Sequence, residues 1–560
     1  QGESLLIRQR SQTGHGPIKM SRQPESSAEV CIIGTGPAGA LVGDQLVRAG
    51  YSVVFLEAGP RFDTEDRGEQ METALQAGNS KTIWEMGGPR DAYESVGSQH
   101  YPLNSARVKG VGGSSLHWQG MVMRLHEQDF RLQSSVGMGR DWPLSYTDLQ
   151  PYYAAAEREL GVAGADDNPF APPRSEPFPM TAFPPSQSDS IFAPACAEVG
   201  ITTHSVPNAR NSESTDEAGA CVGYGTCAPV CPSGAKYDST RQLAHAESQG
   251  ARIIDRAPVK RLIHDDSGSN ITAAEYSTPE GKRYHQEAKE FVVAAGGIET
   301  PRLLLASATE THPDGLANES GAVGRFFSEH LFAGMGGTIN EQTRQKHIGF
   351  HTTESHQFYD RPDDSQTAIK LEFLNNAGPS PAAMAIEATE FGDELLNSIQ
   401  QAYGNHIAMG ALVEQLPDRE NRITLSPETT DPGGMPIPVI DWDIDARTKK
   451  TVQRANEIQR TVLETLDVDI EWTVGPDSTG PAYHHMCTTR MGTDPTESVV
   501  NPQLRCHELS NLSLVGSSVF VTGGAMNPTL TIAALALWAS EHIAARLGEE
   551  DIEIDIFRSA

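Results

Sequence analysis

Four consecutive apolar residues, Val30, Cys31, Ile32 and Ile33, read as a short buried parallel strand. From Pro37 to Ala49 the apolar positions recur at helical spacing, and Ser52 to Leu56 is a second apolar run that ends at Glu57. Between the first strand and the helix stand Gly34, Gly36 and Gly39 in a G-x-G-x-x-G arrangement. Gly34 permits a tight turn, Gly36 lets backbone N–H groups approach a pyrophosphate, and Gly39 lets helix and strand pack closely. The helix N-terminus offers partial positive charge to phosphates. Glu57, at the end of the second strand, is placed to accept from ribose hydroxyls. The glycines alone are weak evidence. Strand, turn, helix, strand and acid in that order predict a dinucleotide site from Ala28 to Glu57.

Further along, Lys109–Leu125 places Gly110, Gly112 and Gly113 just before Ser114, Ser115 and His117, a bare backbone suited to a flat ligand or another strand. Asp141–Tyr153 reads as a turn into a helix, and the Pro-, Asp- and Ser-rich stretch Gly164–Ser190 as a long surface excursion. Ala251–Leu262 suggests a strand and turn. Phe291–Ala295 is another buried strand, ending in Gly296 and Gly297 before a helix over RLLLAS. From Leu331 to Asp445 the texture changes. The short segments Thr367–Leu374, Ala383–Ala388, Ile407–Glu414 and Arg422–Leu425 predict an antiparallel sheet, with Thr451–Leu466 as an amphipathic helix covering it. A final strong helix begins at Thr529.

The 560 residues are enough for two or more domains. Apolar residues make up 38% of the chain, and the longest unbroken apolar candidate, Thr531–Ala539, is too short to span a bilayer, which predicts a soluble protein without a transmembrane segment. A formal charge of −31 argues against nucleic acid, whose phosphates would be repelled. The same acidity suits a saline cytoplasm or an ordinary acidic bacterial protein. Gln1–Ser27 is polar, without a hydrophobic leader or twin-Arg pair, and is expected to be disordered, with Met20 a candidate true start. Seven cysteines, three of them close together, do not suit a secreted disulfide framework, and a cytoplasmic location is expected.

The opening GTGPAG with Glu57, the GVGGSSLHW segment, VVAAGGIETPRLLLAS, HHMCTTRMG and the closing MNPTLT resemble, in order and from about Glu29 to Ala545, the glucose–methanol–choline (GMC) oxidoreductases. The resemblance implies FAD rather than NAD, and an α/β fold: a discontinuous Rossmann-like FAD-binding domain with an inserted α+β antiparallel-sheet substrate domain. The corresponding boundaries are a disordered extension 1–27, FAD-binding segments 28–140, 236–330 and 481–548, an insertion 141–235 with helix, Pro-rich loop and cysteines, a substrate-binding domain 331–480, and an acidic tail 549–560. Gly112, Gly113, Ser114, Val259, Gly296, Gly516, Ser517 and Thr529 join Gly34, Gly36, Gly39 and Glu57 as implied FAD contacts. Gly516-Ser517 departs from the Asp that relatives often carry there.

In alcohol oxidation a hydride leaves a C–H bond for flavin N5 while the hydroxyl proton needs a base. A neutral imidazole suits that task, and a second polar side chain can hold the oxygen. The motif selects His484 as the base and Asn527 as that second group, at the position where the family carries His or Asn. His485 is the neighbour one register away, where relatives usually have a small residue or proline, and Cys487 stands in place of the usual glycine. Ser115-Leu116-His117-Trp118 resembles the S-T-H-W segment through which some relatives hold FAD covalently, so His117 is either a flavin tether or a histidine packed beside non-covalent flavin. Gln119 falls close to the expected N5 region.

Cys221, Cys227 and Cys231-Pro232 have no part in a basic alcohol-oxidising fold. Three thiolates in one loop with proline after the last are ferredoxin-like, although the spacing is not. They resemble the large subunits of bacterial membrane-coupled sugar dehydrogenases, implying an iron–sulfur cluster of the 3Fe-4S type. Zinc with His204 or His245 as fourth ligand, a disulfide, and free thiols are the competing readings. Cys31, Cys196 and Cys506 are expected to be structural. The expected protein is a sugar or polyol dehydrogenase that passes electrons through this cluster to a cytochrome or quinone, with a small partner subunit that could export it folded to the membrane periphery. The rivals are a pyranose-oxidase-like enzyme reducing dioxygen and a non-catalytic electron-transfer flavoprotein.

Overall fold

Five parallel strands stand in the order Leu512–Leu514, Glu290–Val293, Val30–Ile33, Val53–Leu56, Arg252–Ile254 in the computed structural model of the chain. It describes residues 22–548 apart from 63–66, 76–79, 216, 217 and 346. Every residue of the three central strands is buried, and all but Glu290 are apolar, which is why they read as apolar runs. The final helix, Thr529–Leu547, packs against both Pro37–Arg48 and Tyr146–Leu160 and is buried around most of its circumference. Helices from early and late in the described residues therefore pack together in this half.

The second half is a large antiparallel sheet in the order Asp469–Val474, His330–Thr338, His406–Glu414, Ile369–Leu374, Thr353–Ser355, His204–Ser205. The helix Ala446–Thr465 lies on it, as its amphipathic pattern predicts, and puts Val452, Ala455, Ile458 and Val462 into a core shared with Leu331, Leu371 and Met409. The architecture is the expected one, an α/β nucleotide-binding unit joined to an antiparallel sheet.

Four local expectations change. Ala383–Ala388 is not a strand but part of the helix Pro381–Glu387, because Pro381 opens the first turn and Ser380 Oγ accepts from the Ala383 N–H. Arg422–Leu425 belongs to a separate sheet, Arg422–Thr430 with Pro436–Asp441 and Glu94–Val96. The sheet halves also borrow across the expected boundaries: His204–Ser205 extends the large sheet, Ile191 and Phe192 enter its core, and Glu94–Val96 pairs with Pro436–Asp441. Residues 22–27, expected to be disordered, are pinned: Arg22 pairs with Asp255 at 3.0 Å, its carbonyl accepts from the Tyr276 hydroxyl, and the Glu25 N–H donates to Gln286. The rest of that extension, including Met20, and the tail 549–560 lie outside the described residues. Among those described, no helix is long and apolar enough to cross a membrane.

Candidate active site

The carboxyl ends of the parallel strands, at Ile33, Leu56 and Ala294, open on a cavity of ≈ 1030 Å³ that extends to Ala482–His485, a segment tied to the large sheet by the Ala482 N–H on the His330 carbonyl. Gly34, Gly36, Glu57, Gly113, Ser114, His117 and Val259 border it from the nucleotide side, with Gly296, Gly516, Ser517 and Thr529. His484 and Asn527 border it too, so residues 43 positions apart in sequence meet at one space. Gly39 and Gly112 do not. A Cβ on Gly39 would collide with the Gly34 carbonyl, so its role is helix–strand contact, and Gly112, at φ +108, packs against Leu116. A Cβ on Gly36, by contrast, would meet nothing within 4 Å, leaving bare backbone and the N-terminus of Pro37–Arg48 facing open space.

Glu57 is more committed than its motif suggests. Its buried carboxylate accepts from the Thr35 N–H (3.1 Å) and hydroxyl (2.7 Å) and from the Gly59 N–H (2.9 Å). Burial raises its pKa against those contacts. It braces the glycine turn from within while still bordering the cavity.

His484 is half-buried, and its Nδ1 lies 2.8 Å from His330 Nδ1 at the start of the strand His330–Thr338. Burial lowers the His484 pKa well below the ordinary imidazole value, with His330, Lys370 and His485 adding to the effect. Its backbone N–H donates to the buried Glu329 (2.8 Å), whose pKa burial pushes up to about 8 and which also accepts from the Tyr101 hydroxyl. His485 borders the same cavity, but its ring packs near Tyr101 and Phe327, and its carbonyl accepts from Ser517 Oγ. Asn527 Oδ1 accepts from the fully buried Lys370 ammonium at 2.8 Å. Cys487, at φ +72, holds a left-handed conformation that glycine adopts more readily.

The GMC oxidoreductase family profiles match residues 95–332 and 417–536. The fructose dehydrogenase large subunit of Gluconobacter japonicus is 35% identical over 92% of this chain and 98% of its own, and the 2-methyl-1,2-propanediol dehydrogenase of Mycolicibacterium austroafricanum is 30% identical over 93% and 96%. This chain is a GMC oxidoreductase. The crystal structure of pyridoxine 4-oxidase from Mesorbium loti, 18% identical, shares the fold with a TM-score of 0.66 over 92% of this chain and 99% of that one. Membership makes the protein an FAD-dependent oxidoreductase of alcohol-type substrates, and the cavity fits that cofactor: the open Gly36 backbone, the helix N-terminus and a volume at the upper end of ligand pockets (roughly 300–1,000 Å³) suit a dinucleotide.

In this GMC oxidoreductase His117 sits on the cavity wall with Nε2 bonded to the Ala106 carbonyl at 2.6 Å, and burial lowers its pKa to about 4. None of the three loop cysteines is in a disulfide; Cys227 and Cys231 are buried and Cys221 is half-buried. Arg210 Nη1 lies 3.8 Å from Cys227 Sγ, and the Lys236 N–H donates to Cys231 Sγ at 3.4 Å. Lys236 Nζ ties the loop to the flavin-side segment through the carbonyls of Leu116, Trp118 and Cys227, and Ala228 borders the cavity itself. The two candidate fourth zinc ligands differ in how far they are engaged. His204 is bonded through both ring nitrogens, to the Ser205 carbonyl and the His356 N–H, and His245 Nδ1 is held by Asp44. No disulfide forms among the seven cysteines. Sequence reading missed Glu329, His330 and Lys370, which carry no motif.

Proposed function

We propose that the protein oxidises a hydroxyl-bearing carbon of a sugar or polyol, with His484 as base and Asn527 on the substrate oxygen, and delivers the electrons to an external acceptor through an iron–sulfur cluster held by Cys221, Cys227 and Cys231. The observation that carries the reading is that His484 and Asn527 meet on the cavity that the glycine turn opens. FAD supplies the acceptor for the substrate's hydride. The chain's own task is the proton. The two rings meet Nδ1 to Nδ1, so one of them must donate; with His484 donating its Nδ1–H to His330 Nδ1, His484 keeps a lone pair at Nε2 for the hydroxyl proton. Its depressed pKa keeps that lone pair free at neutral pH.

The cysteine loop supports an anionic sulfur group: the Arg210 guanidinium lies beside Cys227 Sγ with Nε and Nη2 lacking a hydrogen-bond partner, and the buried Lys236 ammonium donates to the Cys227 carbonyl. An iron–sulfur cluster supplies one-electron transfer. The fructose dehydrogenase relative is named a large subunit, which supports a partner subunit and a cytochrome or quinone acceptor. The cytoplasmic placement belongs with a soluble lone chain, and recovery in the membrane fraction with a partner would replace it.

Anaerobic flavin reduction by a panel of sugars and polyols tests the proposal. His484→Ala should slow it by about 10²-fold or more with FAD still bound, whereas a crippling His485→Ala and mild His484→Ala would move the base by one position. Purified anaerobic protein should hold about three irons per FAD, and Cys227→Ser should abolish transfer to the acceptor while artificial dyes still drain the flavin. Iron-free protein with rapid dioxygen consumption would favour the oxidase reading. Yellow colour left in an acid-precipitated pellet would make His117 the flavin's tether; colour released to the supernatant would make its flavin non-covalent.

A further inference from the structure

Lys370 has no exposed surface, and its ammonium is the hub of a buried network beside the cavity. Nζ donates to Asn527 Oδ1 at 2.8 Å and faces Glu372 at 2.8 Å and Glu354 at 3.4 Å. Strand register explains the gathering. Lys370 and Glu372 are two residues apart on one face of Ile369–Leu374, and Glu354 stands directly opposite Glu372 on the next strand. Two facing buried carboxylates repel, and the ammonium between them offsets that. Glu354 is held in turn by His356 Nε2 at 2.9 Å.

His204, Glu354 and His356 do bring ligand atoms within 4.8 Å of one another. They make a poor metal site, because both His204 nitrogens are already bonded and the Lys370 ammonium would repel a cation. The cluster is a buttress for Lys370.

An ammonium has three donors and no acceptor, so Asn527 can offer it only the amide oxygen. The NH2 group is turned the other way on a side chain that borders the cavity. We propose that Lys370 is a positioning residue that locks Asn527 as a hydrogen-bond donor to the substrate's hydroxyl oxygen. This rests on the alcohol-oxidising reading above. An unlocked asparagine could present either face. With the oxygen forward it would compete with His484 for the hydroxyl proton and repel the charge that grows on the oxygen as that proton leaves. With NH2 forward its bond strengthens along the reaction.

The discriminating substitution is Asn527→Asp, which keeps an oxygen for Lys370 and replaces the NH2 by an acceptor. In single-turnover flavin reduction Asn527→Ala should cost about 10-fold or more and Asn527→Asp about 10²-fold or more. The dissociation constant of the alcohol, read from perturbation of the flavin spectrum, should rank the variants in the same order. If the carbonyl faced the substrate, Asp would be the milder change, and that result overturns the proposal. Lys370→Met uncovers two carboxylates and could unfold the chain, so thermal midpoints of FAD-loaded wild type, Lys370→Met, Asn527→Leu and the double variant provide a substrate-free measure. Non-additive losses support the contact, and strictly additive ones overturn it. Failure of every alcohol to reduce wild-type flavin would instead refute the alcohol-oxidising reading, with the thermal cycle still deciding the lock.

Discussion

An ordinary imidazole titrates near 6.5 and would leave only about 9% of His484 as free base at pH 5.5, a roughly tenfold loss of rate. The structure predicts no such loss. Burial disfavours the charged ring first, and the groups it faces do not reverse that: His330 and His485 are themselves held neutral by burial, and Lys370 is cationic. The carboxyl bound by its backbone N–H, Glu329, is pushed up to about 8, so below that pH it brings no charge to raise His484. The base therefore keeps its lone pair below the ordinary imidazole midpoint, and kcat/KM for flavin reduction should show no acid limb near 6.5 as the pH is lowered from 7 to 5.5. Anaerobic stopped-flow measurement of flavin bleaching at limiting substrate gives that quantity for the free enzyme. An acid limb with its midpoint at 6.5 or above would refute the reasoning, either because His484 is solvated or because another group takes the proton. Lys370→Met, where it folds, should move the limb upward, since it removes a cation and leaves Glu354 and Glu372 behind.

Glu57→Leu should weaken FAD retention by about 10-fold or more, because the Thr35 and Gly59 N–H groups lose their acceptor and the glycine turn its brace; retention measured after gel filtration checks it. Gly36→Val should abolish flavin binding while leaving the fold intact by circular dichroism, since its Cβ enters the cavity and not a neighbour. The fully buried His330, with its pKa lowered to about 3, and His356, lowered to about 4, bind protons in the unfolded chain before the folded one. Stability present above pH 6.5 is then lost as pH falls toward those values, by about 2 kcal/mol each at pH 5, and thermal midpoints that did not fall between pH 7 and 5 would contradict this.

What the sequence declares are demands on the backbone. Gly34, Gly36 and Gly39 follow a wholly apolar strand because turn, ligand approach and helix contact each exclude a side chain, so the nucleotide half is readable from Val30 to Glu57. His484 and Asn527 were found through motifs, and the cavity brings them together. Lys370, Glu372 and Glu354 were invisible for a different reason: their partnership exists only once Ile369–Leu374 registers against Thr353–Ser355. A trace of it stood in IKLEFL, where two opposite charges share one face of an otherwise apolar strand. The misread helix Pro381–Glu387 shows the reverse error, alternation outweighing the cap signals at Ser380 and Pro381.

The order of strands in the parallel sheet sets a condition on synthesis. Glu290–Val293 is flanked by Val30–Ile33 on one side and by Leu512–Leu514, made some 220 residues later, on the other. Until that late strand and the helix Thr529–Leu547 emerge, a strand carrying Phe291, Val292 and Val293 stands at an open edge and the face that the last helix covers is bare. The nascent chain must be kept from pairing with its neighbours over that interval, and the flavin cradle, which includes Asn527 and Thr529, closes only after they have been made. Cofactor loading thus waits for this late segment, and loss of the last two helical turns before Leu547 would be felt first as aggregation.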